Sequence, residues 1–280
     1  MGVAVRLVIA GAGRPVAERG ARAAYAAIAD LEQRLSDWRP SSEVRRLAER
    51  PREWIPVSAP LFAVLERARA IARASEGAFD PTAGPLIALW RQARSDGVLP
   101  TPAALARAKA RSGWTLLRLR PATRAVWLQR DSMRLDLGGI AKGFILDSAR
   151  RLLAAQGLTR TLLEAGGDIV LGDAPPGQSG WKVSVRTSNR DTILSLRRVA
   201  VGTSGAEAQH LDLGGVRYSH VIDPRTGWAL TAATEVTVVH PLGALADALA
   251  TMASVRPRDG PQLARRLGAT MVLIHDEPGP

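Results

Sequence analysis

Apolar and polar positions alternate from Val3 to Ile9, the period of a strand with one face buried. From about Pro15 to Leu35 the apolar residues recur every three or four positions, which predicts a long helix. SDWRPSSEVRRLAE (36–49) turns and restarts a short helix, with Ser41 or Ser42 as its N-cap. A second long helix is expected over APLFAVLERARAIARASEG (59–77), stopping at Gly77. FDPTAGP (79–85) is expected to run extended, because Asp80 and Gly84 each precede a proline.

From Trp114 the texture changes to short alternating runs: WTLLRLR (114–120), AVWLQ (125–129) and MRLDLG (133–138). A helix follows from about Lys142 to Ala155. Strand-like runs then cover TRTLLEAGGDIVL (159–171), WKVSVRT (181–187), TILSLRRVAVGTS (192–204), VRYSHVID (216–223) and TEVTVVH (234–240). Two closing helices, near Leu242–Ser254 and Asp259–Leu267, precede a last strand, TMVLIH (270–275). Helices fill the first third and strands the later part, without regular β–α alternation, so the pattern predicts an α+β fold. Residues 1–280 are expected to form one domain with two lobes and a cleft between them.

The composition narrows the function. A hydrophobic content of 46% with 23% charged residues is that of an ordinary globular protein. No apolar run approaches the length of a membrane helix, roughly 18 residues. Arg6 interrupts the first apolar run and no charged leader precedes it, so the sequence as it stands points to the cytoplasm. A periplasmic or membrane-attached protein is the alternative, if a leader precedes this chain. There is no cysteine, which excludes disulfides, thiolate metal sites and cysteine nucleophiles. The net charge of +12 invites a nucleic-acid reading, but the arginines are spread along alanine-rich helices and aromatics are only 4%. That pattern describes solvated helix faces.

Two motifs imitate nucleotide loops and fail. GAGRPV (11–16) has Val16 where a dinucleotide fingerprint needs its third glycine. GGIAKG (138–143) lacks the glycine spacing and the Ser or Thr of a P-loop. Physically, RLDLGGIAKGFILD (134–147) still suits a ligand. Gly138 and Gly139 permit close backbone approach, the helix N-terminus favours an anion, Lys142 adds charge and Asp136 can accept from a base or ribose. A plain strand–glycine–helix turn explains the loop equally well. In ADALAT (246–251), Asp247 and Thr251 fall four apart on one helix face, a hard-oxygen pair suited to Mg²⁺. His220 lies in YSHVIDPRTG (218–227), where alternation sets it beside Tyr218 and Ile222.

In order along the chain, GAFDPTAGPL (77–86), LDLGGIAKGFILD (135–147), EAGGDI (164–169), GTSG (202–205), SHVIDPRTG (219–227) and ADALATMAS (246–254) resemble the ApbE-type FAD:protein FMN transferases. The resemblance spans essentially the whole chain. It implies two lobes of mainly antiparallel sheet flanked by helices. It also implies FAD in the cleft between them, Mg²⁺ on the pyrophosphate, and FMN transfer to a Thr or Ser hydroxyl of an acceptor protein with release of AMP. By the same resemblance Gly139, Asp247 and Thr251 would hold the metal. Met1, Trp38, Ala78, Phe79, Asp80, Asp136 and Lys142 would touch FAD. His220 would be the base near the reacting phosphate, with Asp247 its rival. If water replaced the hydroxyl, the chain would be an FAD pyrophosphatase giving FMN and AMP; without turnover it would be a flavin-binding protein. Three positions depart from the family pattern: Ala48 and Glu164, where it tends to carry Asn, and AEAQHL (206–211), which has no aromatic.

Overall fold

The computed structural model describes residues 3–187, 190–205, 210–231 and 234–276. Met1, expected at the flavin, lies outside the described residues, as do 206–209 of the aromatic-free stretch. Strand β1 (Val5–Ile9) leads into helix α1 (Arg14–Leu35), where Pro15 occupies the first turn and its missing N–H costs nothing. The buried stripe of α1 is Ala24, Ile28, Leu31 and Leu35, the spacing read from the sequence. Helix α2 (Glu43–Leu47) is capped by Ser42, whose hydroxyl accepts from the Arg45 N–H. After β2 (Ile55–Pro56), helix α3 (Ala59–Ala74) starts at a Ser58 cap and ends just before Gly77, whose φ of 83° favours glycine.

Residues 79–85 differ from expectation, and two helices follow before Trp114. FDPTAGP is a turn, with the Ala83 N–H donating to Asp80 O at 3.2 Å, and it feeds helix α4 (Gly84–Asp96). Helix α5 (Pro102–Lys109) follows, capped by Thr101. Pro85 and Pro102 both sit in first turns, where proline is at home, so Pro85 opens a helix and does not prolong an extended segment. A 3-10 turn at Trp114–Leu116 then leads to β3 (Leu117–Arg120) and β4 (Ala125–Leu128), which form a three-stranded antiparallel sheet with β2. MRLDLG is not a strand. Met133, Leu135 and Leu137 are buried in alternation, but the segment joins no ladder, and its Asp136 N–H donates to Pro81 O instead.

Most of the remaining elements follow the sequence pattern, but His210–Leu213 is a strand the pattern does not predict, TILSLRRVAVGTS divides into two strands, and VRYSHVID stays in strand only as far as Ser219. These remaining elements are α6 (Ala141–Ala155), β5 (Thr161–Ala165), β6 (Asp168–Leu171), β7 (Trp181–Thr187), β8 (Arg190–Leu196), β9 (Ala200–Ser204), β10 (His210–Leu213), β11 (Val216–Ser219), β12 (Thr234–His240), α7 (Gly243–Val255), α8 (Gly260–Arg266) and β13 (Met271–Asp276). The fold is α+β. Its main sheet has the order β1-β5-β6-β9-β12-β13, antiparallel throughout. Neighbouring residues on its strands point to opposite faces. Leu163, Val170, Ala200 and Val238 join the core with α6 and α7, while Leu162, Leu171, Val201 and Val239 meet Trp181, Val183 and Val185 of the β7–β8 ribbon. Glu164, one of the departures, has a structural reason: it lies opposite Arg6 in the β1–β5 register and pairs with it at 2.8 Å.

Helix α7 is buried almost all round, including Ala244, Ala246, Asp247, Ala248, Leu249 and Ala250. Small residues let neighbouring backbones close on it. A Cβ at Gly202 of β9 would stand 2.4 Å from the Ala246 carbonyl carbon, and one at Gly143 of α6 would stand 2.0 Å from Gly243 O. Asp147 of α6 supplies the missing cap, with its Oδ2 accepting from the Ala244 N–H at 3.1 Å. Gly202→Ala should therefore destabilise the protein by about 1–3 kcal/mol by overpacking; the midpoint of urea unfolding, compared with wild type, measures the loss.

Candidate functional site

The glycine loop, α7 and the start of β6 bring three charges together. Lys142 Nζ lies 3.0 Å from Asp168 Oδ2 and 3.3 Å from Asp247 Oδ1, and it donates to Gly138 O at 2.9 Å. The Gly143 N–H donates to Asp247 Oδ2 at 3.3 Å, and the Thr203 N–H to Asp168 Oδ1 at 3.4 Å. Asp168 and Asp247 are 2% and 4% exposed, so two buried carboxylates share one ammonium. Burial and mutual repulsion push the Asp247 carboxyl up to about 7 against the pull of Lys142. Burial also raises Asp168. Burial works against the Lys142 charge too, but the two carboxylates outweigh it and hold the amine firmly protonated.

One turn beyond Asp247, Thr251 faces the loop. A Cβ at Gly139 would lie 2.9 Å from Thr251 Oγ1 and 3.3 Å from Phe79 Cε2, so only glycine lets the loop backbone pass between them. Among the described residues no three His, Cys, Asp or Glu side chains group to hold a metal. A cation here would need mixed oxygen donors, and the site has them: the Asp247 carboxylate, the Thr251 hydroxyl and the Gly139 backbone. A surplus of negative charge from the paired aspartates suits a divalent ion. The residues fit Mg²⁺.

Asp136 sits beside this cluster. Its Oδ1 accepts from the Gly138 N–H at 2.8 Å and its Oδ2 pairs with Arg91 at 3.1 Å. Burial and the nearby Asp37 raise its carboxyl to about 6, against Arg91. Trp38, 66% exposed, lines a cavity of about 90 Å³ together with Leu35, Asp37, Leu137, Gly138 and Lys142. Ser75 at the end of α3 fixes the motif that begins at Gly77, accepting from the Phe79 N–H at 3.1 Å through its hydroxyl. Asp80 is committed to its own loop. Its carboxylate accepts from Thr82 N–H and Oγ1–H at 2.8 and 2.7 Å and from the Trp114 N–H at 3.0 Å, while burial raises its pKa.

His220 lies past the end of β11, so the alternation expected to set it beside Tyr218 and Ile222 stops one residue short of it. Its neighbours are tied down: the Ser219 N–H donates to Leu230 O, and the Val221 N–H to Ser219 Oγ. The same segment packs on α4, where Trp90 donates to Gly227 O at 2.9 Å. Sequence reasoning missed Asp168 as a member of the site. The available signal was an acidic residue opening an otherwise apolar strand after Gly166 and Gly167, both of which have positive φ.

A model of the ApbE family matches residues 1–274. The chain belongs to the ApbE family. It is 37% identical over 216 residues to a protein of Treponema pallidum named FAD:protein FMN transferase, across 70% of this chain and 60% of that protein's length. It is 31% identical over 291 residues to a Klebsiella pneumoniae protein of the same name, covering 99% of this chain and 83% of that one. An ApbE protein from Thermotoga maritima has a structure similar to this one, with a TM-score of 0.88 at 28% identity over 100% of this chain and 93% of that chain. The ApbE flavin transferase of Vibrio cholerae aligns with a TM-score of 0.83 at 26% identity, covering 98% and 89%.

The raised Asp136 carboxyl has a sign that can be measured in this ApbE protein. Its folded pKa of about 6 exceeds the ordinary 3.8, so the folded state binds more protons between those values. Its contribution to stability is therefore lost as pH rises from about 4 to 6. Relative to Asp136→Asn, ligand-free wild type should lose unfolding free energy over that window and run parallel to the variant above pH 7, as followed by urea titrations at each pH.

Proposed function

We propose that this chain is an FAD:protein FMN transferase: it moves FMN from FAD to a Thr or Ser hydroxyl of an acceptor protein and releases AMP. The names carried by its relatives support flavin transfer, and the buried Lys142–Asp168–Asp247 cluster beside Gly139 and Thr251 carries the reading. In the reaction the acceptor oxygen bonds to the FMN phosphorus, and the bond from that phosphorus to the bridging oxygen breaks. AMP leaves with the bridging oxygen, and the hydroxyl proton passes to a base.

Asp247, Thr251 and the Gly139 carbonyl would hold Mg²⁺, which neutralises pyrophosphate charge when bound. Lys142 adds a fixed positive charge near the same phosphates, held in place by its two carboxylates. Ala78, Phe79 and Asp80 form one wall of the FAD site, and Trp38, Asp136 and the glycine loop another. A hydroxyl is a weak nucleophile, so a base within hydrogen-bond reach matters. His220 takes that role in this reading.

Mixing the protein with FAD, Mg²⁺ and an acceptor bearing a Thr or Ser target should give in-gel flavin fluorescence on the acceptor and stoichiometric AMP. Asp247→Ala should cut both by at least about a hundredfold, as expected when a charged group of the transition-state site is removed. AMP without a fluorescent band would instead mean FAD hydrolysis. His220→Ala should slow transfer by about a hundredfold or more, the usual contribution of a positioned base. Single-turnover rates near wild type would exclude His220 from that role.

A further inference from the structure

Two neighbouring residues of α4 do different work. Trp90 is fully buried; its indole N–H donates to Gly227 O, and its ring lies 5.6 Å from Tyr218 and 5.8 Å from Trp228. These contacts fix how α4 is rotated. The packing of its first turn fixes how close it comes, because a Cβ at Gly84 would stand 2.6 Å from Arg134 O. Arg91 is thereby delivered to the place where the α1–α2 turn meets the segment before the glycine loop.

There its guanidinium makes three contacts. Nη1 lies 2.6 Å from Asp37 Oδ2, Nη2 lies 3.1 Å from Asp136 Oδ2, and the guanidinium carbon stands 3.9 Å from the centroid of the Trp38 ring. A planar guanidinium can bridge two carboxylates with its edge while it stacks on an indole with its face; an ammonium cannot do both. The two carboxylates are 15% and 9% exposed, so these ion pairs are shielded from solvent. Trp38 itself is 66% exposed, an unusual place for an indole. Arg91 covers one side of it, and much of the rest is presented to solvent beside the cavity that Leu35, Leu137, Ala141, Ile145 and Lys142 line.

We propose that Arg91 is a positioning residue: it holds Trp38 as a stacking platform for an aromatic ring of the ligand and ties that platform to the charge cluster. The tie can be followed atom by atom. The Asp136 carboxylate that pairs with Arg91 also accepts from the Gly138 N–H, and Gly138 O accepts from Lys142 Nζ. Platform and ammonium are set by one chain of polar contacts. This inference rests on the reading of the ligand as FAD, and its test separates the two.

Arg91→Ala and Arg91→Lys would be compared with wild type in two measurements. The first is FAD affinity from flavin fluorescence, together with KM and kcat. The second is acrylamide quenching of Trp38, isolated as the difference between each protein and its Trp38→Phe counterpart. Arg91→Ala should raise the Kd for FAD about tenfold, raise KM more than it lowers kcat, and make Trp38 more quenchable, by up to about 1.5-fold given its 66% exposure. Arg91→Lys keeps a charge between the carboxylates and should match the wild-type melting temperature, yet bind FAD at least about threefold more weakly. If the alanine variant does not fold, the lysine variant alone decides between the outcomes. FAD affinity within twofold of wild type in a folded Arg91 variant, or unchanged Trp38 quenching, would overturn the proposal. A wild-type protein that binds no FAD would sink the flavin reading, and the quenching comparison alone would then decide for or against Arg91.

Discussion

Lys142 must serve two carboxylates that burial alone would drive towards protonation, and much of the surrounding architecture makes this possible. Asp168 starts a strand of the main sheet, Asp247 belongs to a helix lying on that sheet, and Lys142 begins a second helix beside the first. The three meet because α6 and α7 approach each other at backbone distance and α7 approaches β9 equally closely. Larger residues at these crossings would separate the charges by more than an ion pair can span. Breaking a buried pair by removing one partner costs far more than the pair gains overall. The cluster is therefore sensitive to every element that frames it.

The charges of the site do not cancel. Two almost fully buried acids and one base leave a local negative excess once both acids are ionised, within a protein whose net charge is +12. The exposed arginines along the helices do not relieve it, because solvent screens them. A small hard cation close to Asp247 would, and a phosphate-bearing ligand could then approach a site that otherwise repels it. The fold thus separates its general surface charge from the charge buried in this cluster.

Much of this was legible in the sequence. The period of α1, the Ser42 cap and the alternation of the main-sheet strands translated directly into structure, because each reports a local burial pattern. The i, i+4 relation of Asp247 and Thr251 is local in the same way. What stayed hidden depends on contacts remote in sequence. MRLDLG carries strand-like alternation but has no ladder partner, and α4 and α5 begin at prolines whose role depends on where the helix starts. Asp168 and Arg91 look unremarkable in their own segments. They join the site only once β6 lies next to the start of α6 and α4 next to the α1–α2 turn.

The mutual backbone contact of Gly143 and Gly243 has a mechanical meaning. Two helices that touch without intervening side chains have no soft layer to compress and no rotamers to exchange, so they move as one block with the sheet beneath them. The oxygen donors on α7 therefore keep their spacing to Lys142. For the proposed transfer, the wall that would meet the pyrophosphate is stiff.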